Sequence, residues 1–239
     1  FDDKGWRKVS LTNAPAAHIV SQQMTPIRKI KIEEISAENV KRLNDSTYVF
    51  DFGQNMAGIT ELAVQGDRDT EVRIAHGERL APDGHVHMGN INKFYGGDKK
   101  NDPFGTDIYW LSGGNDCYAS TFSYKGFRYA EVKGLSKPLK AADIKAIVLR
   151  NAVNPAGTFQ SENDLLNKIQ HICWWAENNN LHGIPTDCNQ RDERLGWMND
   201  ITVRAEEAVY NFDLHRFFAK FLQDIADEQG KETGAITDT

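Results

Sequence analysis

The chain has 239 residues, enough for one large domain or two modest ones. Its 26% charged and 40% hydrophobic residues are ordinary for a soluble globular protein. A formal net charge of −6 argues against a general nucleic-acid binder, which needs a basic face to neutralise phosphates, and no apolar run approaches the ~20 residues that span a bilayer.

From the start, Phe1-Asp2-Asp3-Lys4-Gly5-Trp6 shows no charged segment followed by an apolar one, so no signal peptide is visible. With no initiator Met, the chain reads as cut from a longer protein, and the compartment stays open. Residues 1–46 are expected to be the end of a preceding β domain and a linker.

From about Tyr48 to Leu149 the apolar residues come in short alternating or continuous runs rich in aromatic and β-branched types. Tyr48–Phe52, Ile59–Val64, Glu71–Ala75, Ile108–Leu111, Phe127–Val132 and Ile144–Leu149 are the predicted strands, and glycines such as Gly53, Gly58 and Gly126 punctuate them. This pattern predicts an antiparallel β-sandwich over 47–155. Residues 83–107 are polar and Gly-rich and read as a long loop. Within it His85 and His87 alternate near Asp83, but without a fixed third ligand they read as surface histidines rather than a metal site. Lys99-Lys100, with Asp98 and Asp102, reads as solvated loop. Cys117, Cys173 and Cys188 show no CxxC spacing and read as free thiols.

After Pro155 the period changes. Ser161 reads as an N-cap, followed by Leu165, Leu166, Ile169, Ile172, Cys173 and Ala176 at helical spacing. On this helix Trp174-Trp175 read as one core and one interfacial ring, and Glu177 as a surface acid. A loop runs from about Leu181 to Met198; His182 there is a capping residue or a supporting partner of the acids that follow. Helical spacing resumes around Asp200, and a third helix carries Phe217, Phe218, Phe221, Leu222 and Ile225. Three helices with wide apolar faces want further helices, so residues 156–239 are expected to be the N-terminal part of a larger helical domain.

The densest polar cluster is Pro185-Thr186-Asp187-Cys188-Asn189-Gln190-Arg191-Asp192-Glu193-Arg194-Leu195-Gly196-Trp197-Met198-Asn199-Asp200. Its plainest reading is a solvated loop whose acids cap the next helix. Against that, carboxylates alternate with arginines that can hold each acid in one geometry, and the aromatic face of Trp197 beside polar groups suits a sugar ring. Glycoside hydrolysis requires two carboxyl groups, one of them protonated to meet the leaving oxygen, and acids crowded among arginines provide contrasting environments. Residue chemistry alone does not decide which acid takes which role.

The run from Asp187 to Asp200 resembles the signature of family 78 glycoside hydrolases, the bacterial α-L-rhamnosidases. Tyr48-Val49-Phe50-Asp51-Phe52-Gly53-Gln54-Asn55-Met56-Ala57-Gly58, His76-Gly77-Glu78, Phe122-Ser123-Tyr124-Lys125-Gly126-Phe127-Arg128-Tyr129, Gly157-Thr158-Phe159 and Tyr210-Asn211-Phe212-Asp213 are similar to other stretches of that family. The resemblance implies a multidomain β plus α chain: an antiparallel β-sandwich followed by the first helices of a catalytic (α/α)6 barrel. It implies hydrolysis of terminal α-L-rhamnosyl residues from a rhamnose-containing oligosaccharide or glycoside by an inverting acid/base mechanism. No cofactor or metal is required, and no nucleic-acid or membrane partner is expected. Glu193 would be the general acid. Asp187, Arg191 and Asp200 would bind the rhamnose hydroxyls, with Trp197 against the sugar. The general base would lie beyond residue 239, so these residues alone are expected to be inactive. Asn189 and Asn199 stand where the family signature has Pro and Gly, a change in loop rigidity rather than in chemistry. The alternative is a carbohydrate-binding β-sandwich module without catalysis of its own.

Overall fold

A computed structural model describes residues 3–14, 18–91 and 104–239. Among the described residues, eight strands precede three helices. The strands are β1 (Ile27–Ser36), β2 (Asn39–Asn44), β3 (Thr47–Gln65), β4 (Glu71–Gly77), β5 (Thr106–Trp110), β6 (Asn115–Ala119), β7 (Lys125–Lys133) and β8 (Ile144–Asn151). The helices are α1 (Asp164–Asn178), α2 (Met198–Asn211) and α3 (His215–Glu228). The expected order, antiparallel β and then α, is present. Lys99-Lys100, Asp98 and Asp102 lie outside the described residues.

All the strands join one antiparallel sheet in the order β1-β8-β3-β7-β4-β5, with β2 and β6 also paired to β3. β1 and β2 precede residue 47 and add to this same sheet. The two runs Tyr48–Phe52 and Ile59–Val64 are one strand of 19 residues, not two. Gly53 does not end the strand. It takes a left-handed φ of 73°, and the pairing to β7 shifts register between Asp51 and Met56. A bulge of this kind bends a strand without breaking it. The N-terminal half of β3 pairs with β2 and β7, and the C-terminal half with β8 and β6. The curl wraps a core of Phe50, Phe52, Met56, Ile74, Phe127 and Val148. Phe52 and Phe127 meet edge to face at 5.7 Å, a favoured aromatic geometry.

The interior of the sheet holds polar groups that answer each other. Lys125 Nζ lies 3.1 Å from Asp107, and both side chains are buried. His76 shares a hydrogen bond with Thr60 Oγ1 at 2.9 Å through Nε2 and approaches the Gly105 carbonyl through Nδ1. Burial, the largest influence, pushes the His76 pKa down to about 4, with Asp107 opposing and Lys125 assisting.

The cap of α1 lies two residues beyond the expected one. Asn163, not Ser161, is the N-cap, its side-chain oxygen accepting from the amides of Leu165 (2.9 Å) and Leu166 (3.4 Å). Ser161 Oγ instead accepts from the Asn163 amide. Trp174 packs on Phe212 in the helical cluster, which also holds Leu181, Ala208, Leu214 and Phe217. Trp175 packs against the sheet core. The two adjacent rings thus join the two halves of the chain. The other faces of the helices stay exposed: Leu165 is 64% exposed, Ile172 66%, Val203 80% and Leu222 63%.

Candidate active site

The chain between α1 and α2 is tied to the sheet from its first residue. The Asn179 side chain accepts from the Ala57 amide at 3.0 Å and donates to the Asn55 carbonyl at 3.2 Å, just past the β3 bulge. Asn151, at the end of β8, donates its amide to the Leu181 carbonyl and accepts from the Gly183 amide. These bonds satisfy irregular backbone that would otherwise be buried without partners.

Glu177 corrects the sequence reading. It is 2% exposed and forms an ion pair with Arg204 of α2. Burial pushes the Glu177 carboxyl above its ordinary range, against the pull of Arg204. Arg204 also donates to the Thr186 carbonyl at 3.0 Å, so one guanidinium fastens α1, α2 and the start of the acidic loop.

The loop then closes on itself. The Asp187 amide donates to the Leu195 carbonyl at 2.9 Å, and the Leu195 amide donates to Asp187 Oδ1 at 2.8 Å. Within this ring Glu193 is held from two sides. Arg191 lies 2.5 Å from Oε2, and the Trp197 Nε1–H donates to Oε1 at 3.0 Å. The Glu193 side chain is 8% exposed and the Arg191 side chain 32%. The Cys188 thiol sits 3.9 Å from Glu193 Oε2. Burial, chiefly, pushes its pKa up to about 11, so it is a neutral neighbour and not a nucleophile.

Of the residues singled out in sequence, the fold therefore gathers Asp187, Arg191, Glu193 and Trp197. Asp200 lies in the first turn of α2, exposed. His85 and His87 have separate partners, Glu131 at 3.0 Å and Asn90 at 3.3 Å. Ligand atoms of Asp187, Cys188 and Glu193 do come within 4.8 Å of one another. A cation there would meet a protonated thiol and a carboxylate already engaged by Arg191, which is a poor donor set.

Arg194, Tyr124 and His182 meet beside the acids, a contact that sequence reasoning did not predict. Arg194 is a non-glycine residue at φ 53°, and it donates to the carbonyls of Tyr124 (2.9 Å) and Asn189 (2.8 Å). Its guanidinium lies 3.7 Å from the Tyr124 ring centre and 4.7 Å from that of Phe104. His182, read as a capping or supporting residue, stacks on Tyr124 at 3.9 Å with 3° between the planes. Two groups each within 4 Å of one ring centre must occupy opposite faces of it. Burial first, and Arg194 second, push the His182 pKa down to about 3, which keeps the imidazole neutral across the ring from the guanidinium.

The chain is similar to known proteins along its whole length. Residues 41–150 match the bacterial alpha-L-rhamnosidase concanavalin-like domain, and residues 154–239 match the bacterial alpha-L-rhamnosidase 6 hairpin glycosidase domain. An alpha-L-rhamnosidase of Streptomyces avermitilis is 35% identical over 240 residues, covering 100% of this chain and 22% of that protein. One from Formosa agariphila is 33% identical, covering 94% of this chain and 23% of its own length. Among solved structures, an alpha-L-rhamnosidase from Dictyoglumus thermophilum superposes with a TM-score of 0.86 at 37% identity, over 100% of this chain and 26% of that one. The S. avermitilis enzyme complexed with L-rhamnose gives 0.84 at 35% identity, over 92% of this chain and 20% of that one. The chain thus spans about a quarter of the length of the proteins it resembles.

Proposed function

The chain belongs to the bacterial α-L-rhamnosidases, and from that premise we propose that it carries the proton-donating half of an inverting site that removes terminal α-L-rhamnosyl residues from oligosaccharides or glycosides. The observation that carries the reading is the enclosed Glu193 carboxyl between Arg191 and Trp197. Glu193 acts as general acid toward the glycosidic oxygen. Asp187, Arg191 and Asp200 bind sugar hydroxyls, and Trp197 packs against the ring. A second carboxylate, supplied by the rest of the whole protein, activates water from the opposite face, roughly 6.5–9.5 Å away as inversion requires.

The arrangement has a mechanistic consequence. Both Glu193 oxygens receive donors, so neither is disposed to give a proton as they stand. Donation requires Oε2 to exchange Arg191 for the leaving-group oxygen. A sugar hydroxyl that takes up the guanidinium makes that exchange, and couples binding of the correct sugar to release of the acid.

We place the boundary of the two parts near residue 155, with 156–239 as the opening of an (α/α)6 barrel. The exposed Leu165, Ile172, Val203 and Leu222 support this, because apolar helix faces of that extent are covered by neighbouring helices. A purely carbohydrate-binding sandwich draws no support, since the enclosed carboxyl lies in the loop between α1 and α2. The test is hydrolysis of an aryl α-L-rhamnoside by the full-length protein, with and without Glu193→Gln, following the anomer released. Normal turnover by the variant sinks the acid role; release of the α-anomer first sinks inversion.

A further inference from the structure

We propose that the sheet domain sets the position of the acid loop, through a seat formed by Tyr124 and Gly126 and gripped by His182 and Arg194, so that Tyr124, Gly126 and Arg194 are positioning residues for proton transfer by Glu193. This rests on the reading of Glu193 given above, and it assigns to the sheet a part in the chemistry beyond bracing.

The first observation is the grip. The Tyr124 ring is held between the His182 imidazole and the Arg194 guanidinium, at 3.9 and 3.7 Å from its centre. Both clamping groups come from the segment between α1 and α2, and the ring comes from the approach to β7. A desolvated cation is attracted to an aromatic face, and Arg194 adds hydrogen bonds to the Tyr124 and Asn189 carbonyls.

The second observation is the backbone of Arg194. Its φ of 53° is a left-handed conformation in which a Cβ crowds the following carbonyl oxygen. That conformation persists only where the surroundings hold it. Arg194 follows Glu193 directly, so the dihedral imposed on it also sets the direction of the chain that carries the Glu193 side chain. Relaxation of Arg194 to a right-handed φ would turn that segment away from Trp197.

The third is the closeness of the strand. A methyl group on Gly126 would stand 2.7 Å from Gln190 Cα and 2.8 Å from the Gln190 nitrogen, and would collide with the Asn189 side chain. Real Cβ atoms do not tolerate such distances, so the loop backbone rests directly on β7. Gly126 does not take a left-handed φ. Alanine there is thus acceptable to the strand and is resisted only by the loop. Beside it, Lys125 is pinned by Asp107 and Ser123, so β7 does not readily give way.

The experiment uses the full-length protein with Gly126→Ala, Tyr124→Leu and Tyr124→Phe, alongside Glu193→Gln. Two quantities are read: kcat and KM on an aryl α-L-rhamnoside, and hydrogen exchange of the Asp187 and Leu195 amides against that of the β3 and β7 amides. Gly126→Ala and Tyr124→Leu are expected to lower kcat roughly 10- to 100-fold, as displacements of about 1 Å do. KM should change much less, with faster exchange confined to 187–197. Tyr124→Phe keeps the ring face and should restore both. Unchanged exchange in 187–197 for both variants overturns the seat. Faster exchange with unchanged kcat overturns the positioning role. If wild type lacks rhamnosidase turnover, or Glu193→Gln retains it, the functional reading fails separately, and the exchange data still decide whether the sheet orders the loop.

Discussion

Trp197 and Glu193 are joined across one turn of chain: the indole Nε1–H donates to Oε1 at 3.0 Å, while Arg191 occupies Oε2. The aromatic residue is thereby tied to the carboxyl proposed as the acid as well as to the sugar it is proposed to meet. Trp197→Phe keeps an aromatic face and removes this donor. The expected outcome in the full-length protein is a fall in kcat of about tenfold, equivalent to ~1.4 kcal/mol. Unaltered kcat would remove the orienting role and leave Trp197 a packing surface only.

Arg204 and Glu177 form a second pair, between α1 and α2, with the acid almost wholly enclosed. Removing one partner strands a buried charge. Arg204→Ala is expected to destabilise by about 3–5 kcal/mol, read from the urea midpoint. The double change Arg204→Met with Glu177→Gln leaves no charge behind and should recover a large part of the loss. Equal destabilisation by the single and double variants would show that the arginine acts through its bond to the Thr186 carbonyl instead.

Acid should loosen the sheet through His76. Its folded-state pKa, about 4, lies below the ordinary 6.5, so between these values the unfolded chain binds more protons. Stability from this group is complete above about pH 6.5 and is lost as the pH falls toward 4, by on the order of 3 kcal/mol in all. His182, pushed down to about 3, acts in the same direction. Thermal midpoints measured from pH 7.5 to 4 should fall accordingly, and less steeply in His76→Asn. Identical slopes would assign the acid sensitivity elsewhere.

Residues 1–239 alone are expected to show little or no rhamnosidase turnover, because general acid catalysis without its base supplies only part of the acceleration. The isolated piece should also bind an apolar dye such as ANS, through Leu165, Ile172, Val203 and Leu222. Easily measured turnover by the piece would overturn the division of acid and base.

The acid cluster could be read from sequence because its members are contiguous: Asp187, Arg191, Glu193 and Trp197 needed only a closed loop to meet. The β4, β5, β7 and β8 strands were readable for a similar reason, since each pairs apolar alternation with turn residues. Other features depend on partners far along the chain. Glu177 looks like a surface acid until Arg204, 27 residues on, arrives beside it. Tyr124 and Arg194 are 70 residues apart, and a left-handed arginine leaves no compositional trace. Ser161 and Asn163 are both good caps, and only the path of the chain selects Asn163. β2 was missed because it is short and largely exposed, and β6 because its five residues show no apolar alternation. Gly53 looked like a strand end because a bulge and a turn call for the same residue.

β3 is bonded to β2, β6, β7 and β8, and this gives the sheet a common denominator in its unfolding. Neither half can come apart while the other stays intact without exposing the donors and acceptors of a strand that both share. The intermediate in which half the sheet has melted is therefore the costly one. Heat or denaturant should take the β part of the chain in a single cooperative step, with the bend at Gly53 a poor place for a nick or an insertion.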